Sequence, residues 1–240
     1  MSRRIPRFHA KDVASNSITI SNAELHHLRN VLRLKRGDEV LVFTDSGEEY
    51  KAFFTDNATL RVVNELKPNR ELTTKVICAS ALPKGKRLEF MVQKLCELGL
   101  YRFIPIRCER SIAKTSQPKI IRLKRISLEA TKQCNRTSIT DIASEMTFSE
   151  LCSVLKTFDY AYITSINADK LLIEHMLKLA ECPTSIIFII GPEGGFTADE
   201  EKLAVNSGAI PVKLSRNTLR IETASIVTMA TIVQGLERLR

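Results

Sequence analysis

Apolar and polar positions change rhythm along the chain near residue 70. Before that point the apolar residues come in short β-prone runs. Glu39-Val-Leu-Val-Phe-Thr44 and Glu49-Tyr-Lys-Ala-Phe-Phe54, joined by Asp45-Ser-Gly47, predict a hairpin with a short glycine turn. A third strand is expected over Leu60 to Leu66, after Asp56-Asn57. One helix is expected here, from Asn22 to Leu34, with Ser21 as N-cap and Glu24 as its reciprocal partner. Leu66-Lys-Pro-Asn-Arg70 then has the composition of a linker.

From residue 75 strands and helices alternate. Strands are predicted at Lys75 to Ala81, Phe103 to Ile106, Tyr160 to Thr164, Ser185 to Ile190 and Ile210 to Leu214. A helix over Lys86 to Leu98 places Leu88, Met91, Val92, Leu95 and Leu98 on one face and stops at Gly99. Further helices are expected at Pro118 to Arg136 and Thr223 to Arg238. This alternation predicts an α/β domain with a mostly parallel sheet. The organisation expected is a β-rich unit over residues 1–70 and an α/β unit over 71–240.

Composition narrows the class. At 240 residues the chain holds one large domain or two modest ones, and 44% apolar with 26% charged residues excludes wholesale disorder and fibrous repeats. The longest purely apolar run, Ile186 to Ile190, is far short of the roughly 20 residues of a membrane helix. Met-Ser-Arg-Arg-Ile-Pro-Arg at the start lacks the apolar stretch of a secretory signal, so a cytosolic, non-membrane protein is expected. The six cysteines include no CxxC pair, and the four histidines have no ligand spacing, so buried thiols and no metal are expected.

Charge adds a partner. The net charge is +3 over residues 1–70, +10 over 71–136 and −4 over 137–240. A basic block inside a balanced chain suits a polyanion such as nucleic acid, because phosphate contacts release counterions. Arg122, Arg125, Lys132 and Arg136 fall on one stripe at helical spacing. That stripe fits either a phosphate contact or a solvated helix face.

Candidate chemistry lies after two successive strands. Ile186 to Ile190 runs into Gly191-Pro-Glu-Gly-Gly-Phe196, followed by Thr197-Ala-Asp-Glu-Glu201. In parallel sheets ligands bind beyond the carboxyl ends of strands, and glycines let the backbone come close. The loop is neither GxGxxG nor GxxxxGK[ST], which disfavours dinucleotide and NTPase readings. The next strand leads into Leu214-Ser-Arg-Asn-Thr-Leu-Arg-Ile-Glu-Thr-Ala224, where Arg220 and Glu222 precede a helix and Thr223 is a candidate N-cap. Two such loops in succession predict one shared pocket.

Together Gly191-Pro-Glu-Gly-Gly-Phe196 and Leu219-Arg-Ile-Glu-Thr-Ala224 resemble the signature pair of the bacterial 16S ribosomal RNA uridine-N3 methyltransferases, in the SPOUT superfamily. Arg4-Ile-Pro-Arg-Phe8, His26-His-Leu-Arg-Asn-Val-Leu-Arg33, Gln93-Lys94, Glu97-Leu-Gly99 and Glu109-Arg-Ser111 resemble the family in the same order. The chain departs from its pattern at Gln133-Cys-Asn-Arg136, at Leu214-Ser215 and at Asn217. The resemblance implies a PUA-like β-barrel RNA-binding domain, followed by a trefoil-knotted mostly parallel sheet with helices on both faces. It implies S-adenosylmethionine as cofactor, held by Thr164, Gly191, Pro192, Glu193, Gly194, Gly195, Leu214, Leu219, Thr223 and Ala224. The RNA contacts would come from Arg4, Arg7, Arg29, Arg33, Arg110, Arg122, Arg125, Lys132 and Arg136.

The implied partners are 16S rRNA in the small subunit and a second copy of the chain, with Ile226, Met229, Ala230 and Val233 as an apolar stripe for core or interface. Methylating uracil N3 requires loss of an imide proton, so a cation that stabilises the delocalised anion matters as much as a base. Arg220 is the expected cation, and Glu193 or Glu222 the expected proton acceptor. A non-catalytic RNA-binding assembly factor and a related enzyme with another RNA target remain alternatives.

Overall fold

The computed structural model describes residues 5–10, 13, 17–21, 25–55 and 59–240. They cluster into two compact units: residues 1–71 with 131–139, and residues 72–130 with 140–240.

The first unit is a curled five-stranded sheet. Its strands are β1 (Arg7–Ala10), β2 (Ser17–Thr19), β3 (Glu39–Thr44), β4 (Glu49–Phe54) and β5 (Thr59–Leu66), in the order β1-β3-β4-β5-β2. The β3–β4 hairpin falls where the alternation predicts it, with Val42 opposite Tyr50. Phe8, Ile18, Leu28, Val40, Val42, Phe54 and Leu60 form one core. β1 and β2, absent from the expectation, are short, and β1 pairs in parallel with β3. The expected helix has its first residues, 22–24, outside the described residues. Leu25 onward is helical and passes into a π-helical turn, His27–Val31.

The second unit is a parallel sheet with helices on both faces. Its strands are β6 (Lys75–Ser80), β7 (Arg102–Arg107), β8 (Asp141–Ile142), β9 (Met146–Thr147), β10 (Tyr160–Thr164), β11 (Ser185–Ile190) and β12 (Ile210–Val212). The order is β12-β10-β11-β6-β7-β8, with β9 also on β7. Side chains alternate across each strand: Ile186, Phe188 and Ile190 enter one core, Ile187 and Ile189 the other. The first core is covered by α1 (Lys86–Glu97), α2 (Gln117–Cys134), α4 (Leu172–Leu177) and α6 (Ile221–Glu237). The second is covered by α3 (Phe148–Val154) and α5 (Ala198–Asn206). From edge strand β12 the chain returns to the middle of the sheet, where α6 packs on β6, β11 and α1.

α2 ends two residues earlier than expected. Asn135 turns the chain at φ 64, and Arg136 leaves the helical stripe. All six cysteines are free thiols, and four are buried. Burial pushes Cys108 up to about 12 and Cys152 to about 11, with Glu200 adding to both.

Candidate functional site

The carboxyl ends of β10, β11 and β12 sit side by side in the sheet order, so the loops that follow them meet. They enclose a cavity of about 750 Å³. Its walls are Thr164 to Asn167, Ile190 to Phe196, and Thr218 to Ile221 with Ala224. Arg87 from the first turn of α1, Arg110 after β7 and Glu201 of α5 complete it. A lobe of about 100 Å³ shares Thr164, Leu219 and Ala224 and extends to Leu214, Ser215 and Asn217.

Local chemistry fixes each wall. Thr164 donates its hydroxyl to the Ile189 carbonyl at 3.1 Å, joining the ends of two neighbouring strands. A Cβ on Gly191 would lie 2.8 Å from the Phe196 ring, and Gly195 has φ 71, so the loop is closed to larger residues at both positions. Arg110, on the cavity wall, donates to the Gly194 carbonyl at 2.9 Å and holds the loop there. Thr197 and Glu200 form a capping box that starts α5, and Glu200 also accepts from the Glu109 amide at 2.8 Å.

The start of α6 differs from expectation. Arg220, not Thr223, is the N-cap residue, with φ −68 and ψ 157, and its carbonyl accepts from the Ala224 amide at 2.8 Å. Thr223 therefore lies inside the first turn, exposed and away from the cavity wall. Arg220 lines the cavity, and among the described residues its guanidinium has no hydrogen-bond or ion-pair partner. Glu193 lines it as well, whereas Glu222 stands behind the wall with one carboxylate oxygen buried and unpaired. Arg87 reaches both carboxylates, at 3.1 Å from Glu193 and 3.8 Å from Glu222.

Of the remaining cofactor candidates, Thr164, Gly191, Pro192, Gly194, Gly195, Leu219 and Ala224 line the main cavity, and Leu214 the smaller lobe. Arg87, Ile166, Asn167, Phe196 and Glu201 are wall residues that the sequence reading passed over. The signal for Arg87 was Lys84-Gly85-Lys86-Arg87, a basic glycine loop after strand β6.

The basic candidates divide sharply. Arg4 lies outside the described residues. Arg7 is buried against Glu49 at 2.8 Å, over the Phe43 ring, and donates to the Thr131 carbonyl. Arg136 is likewise buried against Glu71 at 2.8 Å. Both guanidiniums are committed inside the first unit, so neither is offered to RNA. Arg29, Arg33, Arg110, Arg122 and Arg125 are exposed and Lys132 is half-buried, although Arg122 also holds Glu89 at 2.6 Å.

The family model described as RNA methyltransferase domain matches residues 70–233. The chain belongs to this RNA methyltransferase family. It is the family that the Gly191 to Phe196 and Leu219 to Ala224 motifs led us to expect. An RNA methyltransferase PUA domain model also matches residues 20–61. A relative from Synechocystis, named ribosomal RNA small subunit methyltransferase E, is 33% identical over 232 residues, covering 95% of this chain and 76% of its own. One of the same name from Bacillus subtilis is 29% identical, covering 93% and 92%. Among solved structures, the ribosomal RNA small subunit methyltransferase E of Neisseria gonorrhoeae bound to S-adenosyl methionine superposes with a TM-score of 0.86. It is 25% identical, with 96% of this chain and 97% of that one covered. Within the RNA methyltransferase unit, no described helix is long and apolar enough to cross a membrane, and the described residues hold no cluster of three or more metal-ligating side chains.

Proposed function

We propose that the protein uses S-adenosylmethionine to methylate N3 of a uridine in the 16S ribosomal RNA of the small subunit. The observation that carries this reading is the meeting of three strand-end loops around one cavity with an uncommitted arginine on its wall. At about 750 Å³ the cavity has the size of a small-molecule site, which spans roughly 300–1,000 Å³. Glycine backbone and apolar walls fit the cofactor: Gly194 presents no side chain, and Ile190, Pro192 and Leu219 would offer it an apolar surface. When bound, the cofactor supplies a methyl group activated by its sulfonium.

The residues of the chain do the rest. Arg220 faces the uracil and stabilises the charge that spreads over its oxygens as the imide proton leaves. Glu193 on the wall or Glu222 behind it takes or relays that proton, in keeping with the unpaired Glu222 oxygen, since a buried acceptor without a donor is costly. Because the target base belongs to structured RNA, it is unstacked to reach the cavity.

The same reading gives residues 1–70 the task of docking RNA and residues 71–240 the chemistry. Arg29, Arg33, Arg122, Arg125 and Lys132 contact phosphates, and Arg110 holds the glycine loop near the RNA. The return from β12 to the sheet centre is read as the trefoil crossing. Two copies pair through the half-buried Ile226, Ala230 and Val233 of α6, while Met229 belongs to the core of its own chain. The work is done in the cytoplasm, on small subunits. Methyl transfer from labelled cofactor to small subunits from cells lacking this protein, followed by nucleoside analysis, tests the reading. 3-Methyluridine is the expected product. A 2′-O-methyl nucleoside would assign another target, and absence of cofactor binding by calorimetry at millimolar concentration would leave an RNA-binding factor.

A further inference from the structure

Arg87 is the cation at the site that no motif led to. It stands on the first turn of α1, after the strand that pairs with β11, and its side chain is about one-third exposed on the cavity wall. Its guanidinium lies 3.1 Å from Glu193, on the glycine loop, and 3.8 Å from Glu222, on the first turn of α6. The two carboxylates differ in setting: Glu193 is 42% exposed and lines the cavity, whereas Glu222 is 12% exposed and does not. Both carboxylates approach the same guanidinium nitrogen, Nη1, so Arg87 is an ion-pair bridge between them. A guanidinium shared by two carboxylates has little positive charge left for RNA phosphate, so the arrangement suits a clamp better than an anion site.

We infer that Arg87 is a positioning residue for methyl transfer: anchored from behind by Glu222, it holds Glu193 and the glycine loop in place at the cavity wall. The inference rests on the methyltransferase reading for its kinetic consequence, but the clamp itself can be tested without it. Three elements meet at this one side chain: α1, the loop after β11, and α6. Arg110, which lines the same cavity, holds the loop at another point through its bond to the Gly194 carbonyl. Glu222 thereby acts on the wall through Arg87, and Glu193 is the carboxylate of the pair that lines the cavity.

The experiment compares wild type, Arg87→Ala, Arg87→Lys, Glu193→Gln and the Arg87→Ala/Glu193→Gln pair, with small subunits as substrate. Hydrogen exchange over residues 191–196 is followed in the same proteins. Arg87→Ala should speed exchange in the loop and lower kcat about tenfold or more. KM for the subunit and Kd for S-adenosylmethionine should stay within about threefold. Arg87→Lys should recover part of both effects. In the Glu193→Gln background, adding Arg87→Ala should cost little further rate, because the two residues act as a unit. Unchanged loop exchange in Arg87→Ala would overturn the clamp, whatever the activity. Multiplying rate losses in the pair would overturn the action through Glu193. A raised, salt-dependent KM with intact kcat would make Arg87 a phosphate contact instead. Failure of the wild type to methylate would count against the methyltransferase reading, while loop exchange would still decide the clamp.

Discussion

Arg220 and Gly194 line the same cavity, yet they should fail in different ways when changed. Gly194→Val puts a branched side chain into the space assigned to the cofactor. A Cβ at this position meets only the Arg110 side chain, at 3.5 Å, so the fold should survive while calorimetry detects no cofactor binding. Arg220→Ala should leave cofactor affinity within a few-fold and lower turnover by about two orders of magnitude, the scale for losing one electrostatic stabiliser. Arg220→Lys should restore part of the rate, since the charge remains without the fork. Normal turnover in Arg220→Ala would make the residue a structural wall. The motif residues were legible because their chemistry sits in contiguous stretches that follow strands. The burial of Arg7 and Arg136 is illegible for the opposite reason: their carboxylate partners lie 42 and 65 residues away in the chain. A lone arginine in sequence does not reveal whether its charge is already matched.

Among the elements, those with long regular patterns were readable to within a residue or two. β3, β4, β10 and β11 coincide with their predicted spans. The two-residue strands β8 and β9 offer no period to detect, and the alternation of β1 lasts only four residues. Besides its pairing with β3, β1 is held by the buried pair of Arg7 with Glu49, which has Arg70 as a second cation at 3.3 Å. Glu49→Ala leaves Arg7 buried without its counter-ion and should destabilise the protein by about 3 kcal/mol or more in urea. Glu71 provides a pH-dependent counterpart. Burial alone would raise its carboxyl, but Arg136 and the amides of Ser138 and Thr137 more than offset this and hold it below the ordinary value of 4.5. Its stabilisation is therefore present above the unfolded value and disappears as pH falls through the lower folded one. Urea curves for wild type and Glu71→Gln should differ at pH 7 and converge in acid. A pH-independent gap would show that the carboxylate charge is not what matters.

At the scale of the whole molecule, the charge is concentrated in the middle of the chain, at +10 over residues 71–136. Changing Arg122, Arg125 and Lys132 together to Ala should weaken RNA binding and flatten its salt dependence, with cofactor affinity intact. An unchanged salt slope would return that face to solvent. Light scattering at micromolar concentration should give a dimer mass, and only monomer would count against pairing through α6. The compact unit built on residues 1–71 is completed by 131–139, whose Arg136, Thr137 and Ser138 all bind Glu71. During synthesis that closing segment emerges roughly 60 residues after the rest of the unit, a wait on the order of 3–12 s at typical elongation speeds. Until then Arg7 lacks the Thr131 carbonyl and Glu71 lacks all three of these partners. The amino-terminal unit thus cannot finish until residues 131–139 have been made, after much of the second unit has already been synthesised.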